Sequence, residues 1–388
     1  MEDILKKLIE YPTISESSNI NLISYIDDYL KKFDIKGKLI QGEKNQFNYH
    51  CIIGPNKDGG IIFSGHTDVV PVEGQDWKSN PFKLLKKDNK YYGRGTCDMK
   101  GFIAVCLSLV PQIKIKKLKK PIHFIFSYDE EIGCIGIRKL IPFLKKLKPK
   151  PKFCLVGEPT EMKIINQHKG KKNFLVSFQG HEAHSSLTED GVNAINYCSK
   201  FINYLSEIQI ELINKYKNNK YYPPYPTLNV GKINGGLAVN IIPNKCVMEF
   251  EIRDTPEMES ELFIGRIKQF LKKLETDMKK KFKNCSIKLE VKNNFPPLLT
   301  NDSSNLISLC LQALKTNSTG AVSFGTEAGI FNEIGFETIV CGPGSIKQAH
   351  KPNEFIEIKE LNKCRKFLFK LIELQYQYEI KGVRLSDQ

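Results

Sequence analysis

The sequence predicts a two-part α/β protein, a mostly parallel-sheet domain interrupted by a smaller α+β unit. Helix-like and strand-like segments alternate from residue 1 to about 170. Between about 171 and 293 the order becomes β-α-β-β-α-β, and beyond Pro296 and Pro297 the texture of the first part returns. A length of 388 residues also exceeds what one hydrophobic core normally serves. The expected division is 1–171 with 294–388 for the larger domain, and 172–293 for the inserted one.

Each element has its own warrant. Residues 3–9 and 17–33 show helical periodicity; 60–64, 122–128 and 153–156 are short apolar runs expected as buried strands; 101–110 and 136–147 read as the helices between them. The inserted part is expected to run strand 174–179, helix 192–208, strands 227–233 and 245–253, a lysine-rich helix 260–283 and strand 286–292. Pro223, Pro224 and Pro226, interleaved with Tyr221, Tyr222 and Tyr225, mark an extended loop inside that unit.

Composition excludes several classes. Hydrophobic residues at 41% and charged residues at 26% are ordinary for a folded globular protein. The net charge of +15, from 58 Lys+Arg against 43 Asp+Glu, could suit a polyanion. The lysines instead fall in short runs at 116–120, 145–152 and 279–283, at the ends of periodic segments where solvated helix ends are the ordinary cause. No aromatic-interleaved basic stripe accompanies them, so no nucleic-acid partner is expected. The eleven cysteines contain no CxxC pair, the nearest two being Cys97 and Cys106. Their odd number and the Met-Glu-Asp start, which lacks an export signal, favour a reducing, cytoplasmic setting. No apolar run approaches the ~20 residues a bilayer needs, so no membrane partner is expected.

The chemistry-bearing residues cluster after strands. The run 60–64 leads into His66-Thr67-Asp68, where His66 suits a metal and Asp68 an imidazole-orienting role behind it. A glycine-bearing stretch, Tyr92 to Gly101, brings Asp98 to the start of a helix, where the plain alternative is an N-cap. The strand 122–128 ends in Asp129-Glu130-Glu131, and three successive carboxylates after a buried strand repel one another unless a cation neutralises them. Two adjacent glutamates can divide the work, one ligating and one acting as base. Glu158 follows the strand 153–156, and a short loop after 338–341 reaches His350. All five candidates, His66, Asp98, Glu131, Glu158 and His350, follow the carboxyl end of an expected strand, where open α/β sheets place their crevice. Two histidines with three carboxylates suit zinc or its first-row neighbours, and the extra carboxylate points to two ions about 3.5–4 Å apart.

The motifs SGHTDVVP, YGRGTCDMKG, DEEIG, GEPT, GHEAHSS, Asn-Ile-Ile-Pro at Asn240, FGTEAG at Phe324 and GPGSIKQAHKP, in that order, span essentially the whole chain. The chain thereby resembles the zinc-dependent peptidases and deacylases, a family that includes acetylornithine deacetylases, succinyl-diaminopimelate desuccinylases and bacterial glutamate carboxypeptidases. The last two motifs are more similar to those of the acetylornithine deacetylases. The resemblance implies two divalent ions, zinc first and cobalt or manganese as alternatives, with Asp98 shared, His66 and Glu158 on one ion and Glu131 and His350 on the other. It makes Glu130 the general base, with Asp68 behind His66. It implies that the inserted domain is a lid and homodimer surface, and that His184, with His181 as rival, steadies the oxyanion in the partner's site. It places Asn240 and Arg253 on the substrate, Arg253 clasping the α-carboxylate, with an ion pair to Glu251 or Asp254 as its plainer role. The expected substrate is a small N-acyl amino acid, N2-acetyl-L-ornithine, with succinyl-diaminopimelate or a dipeptide as the alternative, and with Glu327 facing the ornithine ammonium or supporting the loop.

Overall fold

The computed structural model describes residues 1–116 and 118–382. Its larger unit comprises Met1–Gln167, Leu298–Ala321 and the chain from Thr326 onward; the smaller comprises His168–Pro297 and Val322–Gly325.

The first stretch runs α1 (Glu2–Ile9), α2 (Ile20–Lys31), β1 (Gly37–Gln41), β2 (Phe47–Ile53), β3 (Ile61–His66), β4 (Leu85–Lys87), β5 (Lys90–Tyr92), α3 (Lys100–Ile115), β6 (Ile122–Ser127), α4 (Ile135–Lys145), β7 (Phe153–Pro159) and β8 (Ile165–His168). The smaller unit then supplies β9 (Lys171–Gln179), α5 (Ala194–Lys215), β10 (Thr227–Gly235), β11 (Lys245–Arg253), α6 (Ser260–Lys281) and β12 (Ser286–Phe295). The chain closes with β13 (Leu298–Leu299), α7 (Asn305–Leu314), β14 (Gly320–Val322), α8 (Ala328–Glu333), β15 (Glu337–Gly342), β16 (Phe355–Glu357) and α9 (Ile358–Gly382).

The main sheet has the order β1-β2-β6-β3-β7-β15-β8-β13, with β14 beside β8. Its middle four strands, β6-β3-β7-β15, are parallel. Such strands are covered on both faces, which explains why β3 and β6 are buried along their whole length and read as continuous apolar runs. α3 is apolar nearly all round because it is packed against α1, α9 and β3 at once. Gly157 on β7 is where α3 comes closest: a Cβ there would lie 2.1 Å from the Phe102 ring. The register aligns Ile61 with Ile122 and Phe153, so His66, Ser127 and Glu158 leave the sheet at one edge.

Among the strands the sequence did not mark are three that join the main sheet beside the expected ones. β1 and β2 add an antiparallel flank, and β8 a further strand, because each lacks a legible pattern. β1 is partly exposed, while β2 buries Asn48 and His50, and β8 buries Asn166, Gln167 and His168. Their buried polar side chains break the alternation that marks a strand. The expected helix at 17–33 begins at Ile20, because Asn19 bonds Phe47 and Thr67 rather than continuing a turn.

A separate antiparallel ribbon, β16-β5-β4, matters for the site. It pairs Phe355 with Tyr92, so the loop carrying His350 and the loop carrying Asp98 leave it side by side. The smaller unit is a four-stranded antiparallel sheet, β10-β11-β9-β12, with α5 and α6 closing a core around Phe174, Phe178, Phe201 and Phe250. No helix among the described residues is long and apolar enough to cross a membrane.

Candidate metal centre

The parallel strands deliver their carboxyl ends to one edge, and there the acidic motifs converge. His66, the last residue of β3, is 1% exposed. Its Nδ1 faces the main-chain carbonyl of Asp68 at 2.9 Å, which fixes Nδ1 as the protonated nitrogen and turns Nε2 toward Asp98 Oδ1 at 3.0 Å and Glu158 Oε1 at 3.6 Å. The other oxygen of Asp98, Oδ2, faces His350 Nε2 at 3.4 Å, and that same nitrogen lies 2.8 Å from Glu131 Oε2. Asp98 thus offers one oxygen to each of two imidazoles, and a second carboxylate stands beside each. Donor atoms of His66, Asp98 and Glu131 lie within 4.8 Å of one another, as do those of His66, Glu130 and Glu158. All five sequence candidates are therefore in one cluster. Asp98 reaches it from the turn after the outlying strand β5, not from a strand of the main sheet as expected.

The charges do not balance without a cation. Burial would lower the His66 pKa, but the Asp68, Asp98 and Glu158 carboxylates outweigh it and hold the value well above normal. Hydrogen bonds to Asp98 and Glu131 lift His350 to about 10. Burial, reinforced by neighbouring carboxylates, lifts Glu130 to about 8, Glu131 to about 7 and Glu158 well above the ordinary range. Burial acts the same way on Asp98, yet the two histidines win and its pKa is lowered. Two imidazoles stand among five carboxylates, Asp68, Asp98, Glu130, Glu131 and Glu158, an excess of acidic groups in one cluster, and this nitrogen and oxygen donor set fits divalent first-row ions.

Supporting residues make the geometry. The Asp68 carboxylate was expected to orient the imidazole; it lies 3.5 Å from Nδ1. Its oxygens also accept the backbone N–H groups of Glu130 at 3.0 Å and Glu131 at 3.3 Å, and the Ser15 hydroxyl at 2.8 Å. It shapes the acidic turn while its own carbonyl orients His66. Asp129, at φ 49, secures that turn by accepting from Glu16 N at 2.7 Å and Gln46 Nε2 at 2.8 Å. The Cys134 thiol donates to Glu130 Oε1 at 3.4 Å.

Glu327 is the correction. Expected to face a substrate ammonium, it is 0% exposed, and its two oxygens accept from Ser64 Oγ at 2.5 Å and Ser127 Oγ at 2.7 Å. Its carboxylate ties the ends of β3 and β6 together and has no open face, so the loop-supporting alternative describes it. Sequence reasoning also missed Glu354 and Arg94, a buried pair 2.8 Å apart behind the Asp98 loop. An arginine within a glycine-bearing turn was the available signal, since a buried guanidinium requires an acidic partner.

The remaining candidates lie in the smaller unit. Ser185 N–H donates to the Asn240 carbonyl at 3.0 Å and His184 pairs with Ile241, so the GHEAHSS and Asn-Ile-Ile-Pro motifs lie side by side. His184 is exposed, its Nδ1 2.8 Å from Ser186 Oγ, whereas His181 stacks on the Phe282 ring at 4.0 Å. Arg253, at the end of β11, pairs with Glu251 through Nε at 3.0 Å and Nη2 at 3.4 Å, the plainer of its two expected roles.

An open parallel sheet whose carboxyl edge gathers imidazoles and carboxylates around a doubly faced aspartate defines a metal-dependent hydrolase. Comparison with known proteins agrees: the model of peptidase family M20/M25/M40 matches residues 62–374. The chain is 34% identical over 378 residues to the acetylornithine deacetylase of Buchnera aphidicola subsp. Acyrthosiphon pisum (strain APS), covering 95% of this chain and 96% of that one. It is 32% identical over 381 residues to the acetylornithine deacetylase of Shigella sonnei (strain Ss046), with 95% and 96% covered. Among solved structures, an M20 family metallo-carboxypeptidase from Sulfolobus solfataricus superposes with a TM-score of 0.78 at 18% identity, over 95% of this chain and 98% of that one. A dinuclear metal binding peptidase of the M20 family from Bacillus subtilis does so at 0.67 and 14% identity, over 96% of each. The chain belongs to peptidase family M20/M25/M40 and is a metallohydrolase that acts on amide bonds.

Proposed function

We propose that the chain removes the acetyl group from N2-acetyl-L-ornithine, giving L-ornithine and acetate, and so serves arginine synthesis in the cytoplasm. The observation that carries the hydrolytic part is the Asp98 carboxylate, with one oxygen toward His66 and the other toward His350. The acetylornithine deacetylases at 32–36% identity over about 95% of the chain support the substrate. His66 and Glu158 would hold one divalent ion, Glu131 and His350 the other, with Asp98 common to both and zinc the first choice.

Bound there, such ions supply Lewis acidity toward the scissile carbonyl and lower the pKa of water toward neutrality. Glu130 takes the proton of the attacking water and passes it to the departing amine. Burial and its acidic neighbours raise its basicity, which suits that exchange near neutral pH. His184, exposed on its loop, is free to approach the oxyanion of a second copy's substrate. Asn240 and Arg253 orient the amino acid, Arg253 exchanging Glu251 for the α-carboxylate. In this reading the smaller unit is a lid and homodimer surface. Exposed Leu237, Val239 and Ile233 on and beside edge strand β10 support that.

The test is metal analysis of the purified chain coupled to side-by-side turnover of acetylornithine, succinyl-diaminopimelate and dipeptides. Acetylornithine should be preferred at two bound ions per chain. Turnover of succinyl-diaminopimelate at an equal or higher kcat/KM sinks the substrate assignment while leaving the metal centre standing.

A further inference from the structure

Asp98 faces two histidines only if its loop is held in place, and the loop's own bonds, from the Thr96 N–H and hydroxyl to the Gly93 carbonyl at 3.2 and 2.7 Å, do not reach the backbone of Cys97 or Asp98. The stretch from Gly93 to Met99 is irregular, and Gly95, at φ +84, adopts a backbone conformation that side chains resist. The restraint comes from behind. Glu354 is 1% exposed, and its Oε1 accepts the backbone N–H groups of Cys97 at 2.8 Å and Asp98 at 3.1 Å. Its Oε2 accepts Gly95 N–H at 3.1 Å and Arg94 Nη1 at 2.8 Å.

Arg94, also 1% exposed, carries the restraint across to the second metal position. It donates to the Lys351 carbonyl at 3.3 Å and, through Nη2, to Gln75 Oε1 at 2.6 Å, with its guanidinium 5.1 Å from the Trp77 ring centre. Gln75 Nε2 donates in turn to the carbonyl of His350 at 2.9 Å. One network therefore grips the main chain on both sides of the Asp98–His350 contact.

We propose that Glu354 is the positioning residue of the metal centre: its carboxylate, matched by Arg94, clamps the Asp98 loop so that Asp98 can serve two ions at once. The proposal rests on the reading of Asp98 as a shared ligand. A buried ion pair of this kind adds little net stability compared with apolar packing, so what it contributes here is a single loop conformation.

Glu354→Gln keeps the size but turns an –NH2 toward groups that are all donors. The full-length chain, stripped of metal, is titrated calorimetrically with Zn2+, its Co2+ absorption spectrum is recorded, and kcat and KM are measured after reloading. Affinity for both ions should fall about 10–100-fold, as when groups that orient metal ligands are removed. The cobalt bands should shift, kcat should drop, and KM should stay nearly unchanged. Glu354→Asp, which keeps the charge, should recover part of the affinity. Zinc affinity and a cobalt spectrum identical to wild type in Glu354→Gln overturn the proposal, whatever happens to the melting temperature. If Glu354→Gln does not fold, Arg94→Lys decides: the charge stays, the fork to Gln75 and Lys351 is lost, and unchanged zinc binding overturns the proposal equally. Failure of the wild type to bind two ions would instead sink the metal reading itself.

Discussion

The two units carry their candidate functional residues in opposite ways. In the larger unit His66, Asp98 and Glu158 are buried and their neighbours are fixed by backbone hydrogen bonds, His350 being the exception with its side chain 54% exposed. In the smaller unit His184 and Asn240 are exposed on loops, and Arg253 is half-buried with a partner two residues away. A centre that polarises a bond must be organised beforehand in a place that excludes water, whereas groups that meet a substrate must stay reachable. Substitutions should separate along the same line. In the larger unit they should alter metal binding, chemistry or stability; in the smaller, turnover or KM with the fold untouched.

Glu130→Gln gives the largest effect. If Glu130 is the base, kcat falls about 10²–10⁴-fold while both ions remain, read by turnover and metal analysis of the same sample. Unchanged activity would remove Glu130 from the mechanism. His184→Ala comes next, with an expected loss of about 10²–10³-fold in kcat, the range for deleting one oxyanion donor. Its melting temperature should not move, since the side chain is exposed and, among the described residues, hydrogen-bonds to Ser186 alone. His181→Ala makes the contrast: it removes the stack on Phe282 and should spare kcat. The reverse result would reassign the role to His181.

Arg253→Lys should act on binding alone. Losing a charged, forked contact with the α-carboxylate costs about 1.5–3 kcal/mol, which at about 1.4 kcal/mol per decade is roughly a 10–100-fold rise in KM. If Arg253 does no more than pair with Glu251, KM stays at the wild-type value and the comparison loses its third residue.

The same contrast explains what could be read from sequence. The parallel strands are apolar without interruption, so β3, β6 and β7 were legible, and the acidic and histidine residues just beyond them stood out. β2 and β8 were not, because Asn48, His50, Asn166 and His168 are polar yet buried, with hydrogen-bond partners distant in sequence or in the local backbone. The metal-facing residues were found by residue type; the residues that hold them were not. Asp129 resembles an ordinary turn residue, and Glu354 an ordinary surface glutamate after Asn353, until the fold brings the loops of β5 and β16 together. Glu327 shows the converse error: a carboxylate in a glycine-flanked motif suggests a substrate contact, but Ser64 and Ser127, more than 190 positions away, occupy both its oxygens. Chemistry is carried by residue identity; support is carried by long-range pairing, which a single sequence does not display.

The smallest effect separates stability from catalysis within the larger unit itself. His50 on β2 and His123 on β6 are buried side by side, Nε2 to Nδ1 3.1 Å, apart from the metal cluster. Burial, helped in His50 by Lys38 and in His123 by His50 itself, holds their pKa values down to about 4 and about 3. Both lie below the roughly 6.5 of an unfolded histidine. Below pH 6.5 the unfolded chain therefore takes up protons that the native chain refuses. The stability these residues allow is complete above about pH 6.5 and declines as pH falls toward about 4, at roughly 1.4 kcal/mol per pH unit for each histidine. Ordinary carboxylates elsewhere in the chain titrate toward the acid end of this range, so the measurement is a difference between two proteins. Urea unfolding of wild type and His50→Gln from pH 7.5 to 5 should show the variant's stability falling less steeply by about one such increment, with kcat at neutral pH unaltered. Parallel slopes would mean that the buried pair already shares a proton in the fold.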